Sequence, residues 1–234
     1  MKATVAEKRE VAKGTLLVLF AVDGYPPYRP GSYFWVELPE RGDQDEKGLR
    51  RHISLVTSPT ETGVVGLATR LRDTAFKRTL AELEVGDEVA VEAPKGSFLL
   101  PEDTSVDYVF IAGGIGITVF RSMLRYIADE GLPYRVTLVY SNRDRESAAF
   151  LDELEELERR IDSLRVVLTI TEQEGWEGES RRINADMLRE HLGDLDAKQF
   201  LVAGPAPMAE GVSGSLLAAG VPDEQVSTDG FSGY

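Results

Sequence analysis

The stretch VDYVFIAGGIGITVFRSML, residues 106 to 124, holds the first residues whose spacing could do chemistry. An apolar run stops at Gly113 and Gly114, Gly116 follows, and a helix-like pattern begins around Thr118. Glycine costs conformational entropy, so three of them at a strand-to-helix handover need a reason. One reason is close approach of a phosphate or flat ring to backbone at a helix N-terminus; the other is a tight turn without a ligand. A second constellation is RRHISLVTSP. In a strand, alternate residues share a face, so Arg51 goes with Ile53 and His52 with Ser54. Arginine's fork matches phosphate oxygens, and a serine hydroxyl can bond a ring edge or a phosphate. His52 has no acid or thiol companion at an obvious spacing and reads first as structural. The run ATRLRDTAFKRTL, from Ala68, sets Arg70, Arg72, Lys77 and Arg78 around a helix start, where an anion is stabilised by unpaired N–H groups and the helix dipole. In VYSNRDRE, Ser141 and Arg143 follow an apolar run, and Arg143 could meet a 2′-phosphate, a pyrophosphate or only solvent.

Composition narrows the classes. The chain has 234 residues and a formal net charge of −14, which argues against nucleic-acid binding and against anionic membrane. There is no cysteine, so disulfides, thiolate chemistry and cysteine-held iron–sulfur clusters are excluded. With only His52 and His191 as histidines, no metal site is expected. No segment is long and apolar enough to insert in a membrane, and MKATVAEKRE is no signal peptide, so a cytoplasmic protein is expected.

The elements that must position these residues change character near residue 102. Residues 1–102 carry short runs rich in Val, Tyr, Phe and Trp, namely GTLLVLFAV, GSYFWVELP, RHISLVT, VVGLATRL and EVAVEAP. They predict an antiparallel β-barrel or sandwich, interrupted by a short helix with Phe76, Leu80 and Leu83 on one face. Residues 103–234 alternate strand-like and helix-like runs. DYVFIAG, YRVTLVYS, LRVVLTIT and KQFLVAGP are each followed by a helical pattern, which predicts an α/β doubly wound parallel sheet. Ligands of such sheets bind at the carboxyl ends of the strands, where the glycine turn and AGP, residues 203–205, both fall. The order G-G-I-G-I-T departs from the G-x-G-x-x-G fingerprint and disfavours a conventional Rossmann dehydrogenase.

Taken together and in order, these pieces resemble the ferredoxin–NADP reductase-like flavoproteins over nearly the whole chain. RHISLVTSP is similar to that family's Arg-x-Tyr-Ser flavin motif, and LATRLRDTAFKRTL falls where the family grips the flavin pyrophosphate. EAPKGSFLL resembles its Gly-Pro-x-Gly-x-Phe turn, IAGGIGIT its nicotinamide turn, and LVYSNRDRE and FLVAGPAPM its later nucleotide loops. The resemblance implies a flavin-binding barrel (1–102) and an NAD(P)-binding domain (103–234). It implies FAD rather than FMN, with NAD(P)H as co-substrate and a ferredoxin-like or other protein as electron acceptor. Arg51, His52, Ile53, Ser54, Thr69, Arg70, Phe76 and Lys77 are then expected around the flavin. Gly113, Gly114, Gly116, Thr118, Ser141, Arg143, Gly204, Pro205 and Met208 are expected around the nicotinamide nucleotide. Ser54, Thr118 and Tyr234 are expected nearest the chemistry, with Phe231 and Tyr234 as a C-terminal aromatic cover. Three departures stand out: Ile53 for the family's tyrosine, Val119 for its proline and Ala203 for its cysteine. Ile53 and Ala203 keep a second reading in play, an electron-transfer subunit or sensor that binds flavin or nucleotide without turning over NAD(P)H.

Overall fold

The computed structural model describes residues 1–42 and 45–231. Strands β1 (Lys2–Ala12), β2 (Thr15–Ala21), β3 (Tyr33–Glu37), β4 (Arg50–Ser54), β5 (Val64–Arg70) and β6 (Glu88–Val91) form one antiparallel sheet in the order β4-β3-β6-β1-β2-β5. Beyond the end of β4, Val56 N–H donates to the Gly66 carbonyl on β5 at 3.0 Å, so the two edge strands touch without a ladder. The sheet is barrel-like and not fully closed. Its core packs Phe20, Phe34 and Leu67 against Phe76, Leu80 and Leu83. The last three belong to helix α1 (Ala75–Glu82) and its C-cap, the one-faced apolar stripe expected from sequence.

The five-stranded second sheet is parallel, in the order β11-β10-β7-β8-β9, from β7 (Asp107–Gly113), β8 (Arg135–Asn142), β9 (Leu164–Ile170), β10 (Lys198–Pro205) and β11 (Val226–Phe231). Helices α2 (Ile117–Glu130), α3 (Leu151–Arg160), α4 (Ala185–Leu192) and α5 (Ala206–Ala218) follow the strands. The doubly wound architecture expected from the alternating runs is what forms.

Two strands escape the sequence pattern. In β1 only Ala3 and Val5 are buried, and charged residues take position 2 and the whole run 7–10, so little apolar alternation is left to read. Residues 226–231 form β11, an edge strand paired with β10 from Phe200↔Val226 to Pro205↔Phe231, which no sequence pattern announced. One helix starts late: Phe150 adopts φ 64°, the left-handed region, and α3 begins only at Leu151.

The two sheets share a core. Leu17, Val56 and Ala68 of the first pack in one cluster with Phe110, Phe120 and Met123 of the second. Arg121 on α2, 5% exposed, reaches across that seam. It donates to the Val56 carbonyl at 2.7 Å and to Glu61 at 3.0 Å, and to Glu153 of its own domain at 2.9 Å.

Candidate functional site

The N-terminus of α1 is built to hold an anion. Thr74 caps it through the Lys77 N–H at 3.4 Å, and the Ala75 N–H donates to a carboxylate oxygen of Asp45 at 3.1 Å. The other oxygen of Asp45 lies 3.6 Å from the Arg51 guanidinium. Burial tends to raise the Asp45 pKa, but the Ala75 and Lys47 amides and the Arg51 charge together hold it below the ordinary carboxylate value. Lys77, 6% exposed, is pushed down to about 8 by burial and by the nearby Arg72 and Arg51. Three cations thus crowd a helix start, the pattern that welcomes phosphate. The Asp45 carboxylate is thus received between a backbone N–H and a guanidinium, a donor set whose chemistry fits the phosphate oxygens of FAD. Phe76 is fully buried beneath, with the Arg51 guanidinium 5.4 Å from its ring.

Next to β4 lies a cavity of about 260 Å³, lined by Tyr33, Trp35, His52 and Ser54 of the first sheet and by Asp229, Gly230 and Phe231 of β11. The register Tyr33↔Ser54 and Trp35↔His52 puts these four side chains on one face of the β3–β4 hairpin. The His52 ring sits 5.0 Å from Trp35 and 5.6 Å from Tyr33. Ile53 points the other way, into the barrel core at 6% exposure. The aromatic rings beside this end of β4 therefore come from β3 and His52. Burial raises the Asp229 carboxyl above its ordinary pKa, with His52 working against that shift. Sequence reasoning missed Tyr33, Trp35 and Asp229. The alternation in GSYFWVELP marks the first two as face-sharing, but nothing in the sequence pairs them with β4.

Gly230 is paired with Gly204, and Gly204 in turn lies against Gly113, so backbone contacts link the β11 wall of the cavity to the glycine turn. The turn's glycines are there for more than one reason. A Cβ on Gly116 would run into the Ala203 carbonyl, and one on Gly204 would come within 3.1 Å of the Gly113 backbone. These two allow backbone to pack on backbone. The positive φ in the turn belongs to Gly114, at 51°, whereas Gly116 has φ −56° as the N-cap of α2. Met208 sulfur and the Pro205 ring crowd the face of Gly113, at 2.9 and 3.2 Å from the place of a Cβ. Thr118 is buried and its hydroxyl donates to the Ile115 carbonyl at 3.0 Å.

The basic run of the sequence divides between two places. Arg70, the last residue of β5, lies against Gly114, donating to Asn142 Oδ1 at 3.3 Å and to the Ser147 carbonyl at 3.4 Å. Asn142 Nδ2 and Thr69 Oγ1 are buried with no hydrogen-bond partner among the described residues. Ser141 is half-buried at the end of β8, and Arg143, exposed just past it, faces Glu172. Tyr234 lies outside the described residues. The sequence candidates thus gather as an anion cradle (Arg51, Phe76, Lys77), an aromatic-walled cavity (His52, Ser54, Phe231) and a glycine turn with its neighbours. Ile53 and Thr69 face the protein interior.

Residues 110–214 match the family described as the oxidoreductase NAD-binding domain. The chain is 27% identical, over 88% of its length, to the reductase component of propane 2-monooxygenase from Mycolicibacterium goodii, of which it spans 59%. It is 28% identical, over 87% of its length, to the ferredoxin reductase component of 3-ketosteroid-9-alpha-monooxygenase from Mycobacterium tuberculosis, of which it spans 55%. It therefore spans less than two thirds of these curated relatives. Among solved structures, the ferredoxin reductase in carbazole 1,9a-dioxygenase is 25% identical with a TM-score of 0.83, over 99% of this chain and 69% of that one. A ferredoxin NADP+ reductase from Neisseria gonorrhoeae, solved with bound FAD and NADP, shares the fold at 20% identity and a TM-score of 0.83, over 98% of each chain. The resemblance read from the sequence is borne out.

Proposed function

We propose that this chain, whose second sheet belongs to an oxidoreductase NAD-binding domain within a ferredoxin reductase-like fold, is an FAD-dependent NAD(P)H oxidoreductase feeding a protein electron acceptor. A flavin held here would accept a hydride from NAD(P)H and release electrons onward. The observation that carries the reading is the cavity shared by the two sheets, because it brings the barrel's aromatic wall to the strand end that leads to the glycine turn.

Each part of the chain has a task in this reading. Arg51, Lys77 and the Ala75 N–H bind the flavin pyrophosphate, displacing the Asp45 carboxylate. Tyr33, Trp35 and His52 orient the flat ring, and Ser54 offers it a hydroxyl. Gly114 keeps a side chain away from the nucleotide path, and Arg70 presents a cation at the turn. Phe231 covers the cavity from the side of β11. A ferredoxin-like protein is the acceptor we favour, in keeping with the reductase components to which the chain is similar.

The test is anaerobic. The protein is titrated with FAD and FMN, then mixed with NADH or NADPH while the flavin absorbance is followed. Tight FAD uptake and bleaching by a nicotinamide are expected, with reoxidation by a ferredoxin. A protein that takes up no flavin overturns the reading; one that binds flavin but is never bleached is an electron-transfer subunit or sensor instead.

A further inference from the structure

The hydrogen-bond ladder between β8 and β9 does not stop where the strands end. Thr171 N–H donates to the Asn142 carbonyl at 2.9 Å, and Glu172 N–H donates to the Arg143 carbonyl at 2.8 Å. These two bonds fix Glu172 beside Arg143, with carboxylate and guanidinium 3.8 Å apart. The next cation, Arg145, is also engaged: its side chain lies 3.7 Å from Glu155, and its N–H donates to the Gln173 side chain at 2.8 Å. Across the facing segments 143–146 and 172–177, two arginines stand against five carboxylates, Asp144, Glu146, Glu172, Glu174 and Glu177, of which Glu146 is also met by Lys13 of another element at 3.0 Å.

In doubly wound sheets the adenosine ribose of a dinucleotide lies at this kind of strand end. An acid there accepts hydrogen bonds from the ribose hydroxyls, while an arginine receives a 2′-phosphate. Here the two residue types stand side by side. The geometry points to Glu172 as the residue that makes the proposed nicotinamide site select NADH over NADPH, an inference that rests on the oxidoreductase reading above. Breaking the Arg143–Glu172 pair is not the obstacle, because exposed ion pairs contribute little. The obstacle is what stays behind. With Arg143 turned to a 2′-phosphate, Glu172 remains tethered by its backbone next to a group of nearly two negative charges, inside an already acidic rim. A ribose hydroxyl carries no charge and can donate to the same carboxylate. Arg143, taken by itself, suits either nucleotide; its fixed neighbour decides.

The experiment measures equilibrium binding of NAD+ and NADP+, the unreactive oxidised forms, to the full chain by calorimetry. The wild type is compared with Glu172→Gln and Glu172→Arg, both at an exposed position that the fold tolerates. We expect NAD+ to bind about tenfold tighter or more, the equivalent of 1.4 kcal/mol. Glu172→Gln should narrow that ratio and Glu172→Arg should invert it. Added salt should narrow it in the wild type, since exposed charges are screened. NADP+ bound as tightly as NAD+ by the wild type, or a ratio unmoved by Glu172→Arg, overturns the inference and leaves the oxidoreductase reading intact. Binding of neither nucleotide overturns both.

Discussion

At the scale of single residues, the cradle at α1 makes opposed predictions for two neighbours. Arg51→Ala removes a charged hydrogen-bond donor worth about 1.5–3 kcal/mol, so FAD affinity should fall by at least tenfold in a fluorescence titration. Asp45→Asn removes the carboxylate that competes for the same N–H and guanidinium, so FAD affinity should rise several-fold. A loss of affinity in the second variant would show that Asp45 braces the cradle rather than competing for it. Lys77 adds a pH dependence with a definite sign. Its folded-state pKa lies at about 8 against an ordinary 10.5. The stability it contributes to the cofactor-free protein is therefore present above 10.5 and lost as pH falls through about 8. A bound pyrophosphate restores the charge, so binding takes up a proton between those values. FAD affinity should then decline as pH rises through that window, by up to about tenfold per unit. Lys77→Met should flatten the slope.

At the scale of elements, the glycine turn separates packing from ligand approach. Gly116→Val drives a side chain into the Ala203 carbonyl of β10, so it should lower the melting temperature sharply or prevent folding. That is a different outcome from the clean block of nucleotide binding that a glycine-lined approach path by itself implies. Gly114→Ala tests the other role. Its positive φ costs on the order of 1–3 kcal/mol for a non-glycine residue, which the fold should survive. The new Cβ would meet the Arg70 guanidinium at 3.2 Å, so nicotinamide binding should weaken in a protein that still holds FAD. Nicotinamide affinity unchanged in folded Gly114→Ala would remove Arg70 from the nucleotide path.

For the whole molecule, the shared core and Arg121 couple the two sheets. Removing one partner from a buried ion pair leaves the others unpaired and costs about 3–5 kcal/mol. Arg121→Met should thus destabilise the protein by that order through Glu61 and Glu153, well beyond the effect of an exposed charge change. Calorimetry should show one cooperative transition in the wild type, because Leu17, Val56 and Ala68 cannot leave the cluster around Phe110 and Phe120 without opening it. Two resolved transitions in the wild type would contradict this coupling.

Local periodicity made much of this protein legible without its structure. Runs of period two, then strands alternating with helices of period 3.6, determined two sheets of different kinds, and glycine spacing placed the turn at a strand end. The anion-friendly start of α1 was legible in part, because Arg72 and Lys77 are neighbours in the chain, while Arg51 joins them from β4. What stayed hidden depends on residues far apart in sequence. Only strand register could turn Ile53 inward and set Trp35 beside His52. Only the meeting of the two sheets could carry Arg70 to Gly114 and bring Asp229 over the cavity. The charge-rich β1 and the edge strand β11 were equally unreadable, since backbone pairing with distant partners, not side-chain alternation, makes them strands. Glu172 shows the same limit most plainly. It is one more glutamate of an acidic loop until a ladder of backbone hydrogen bonds, 29 residues removed in sequence, holds it beside Arg143.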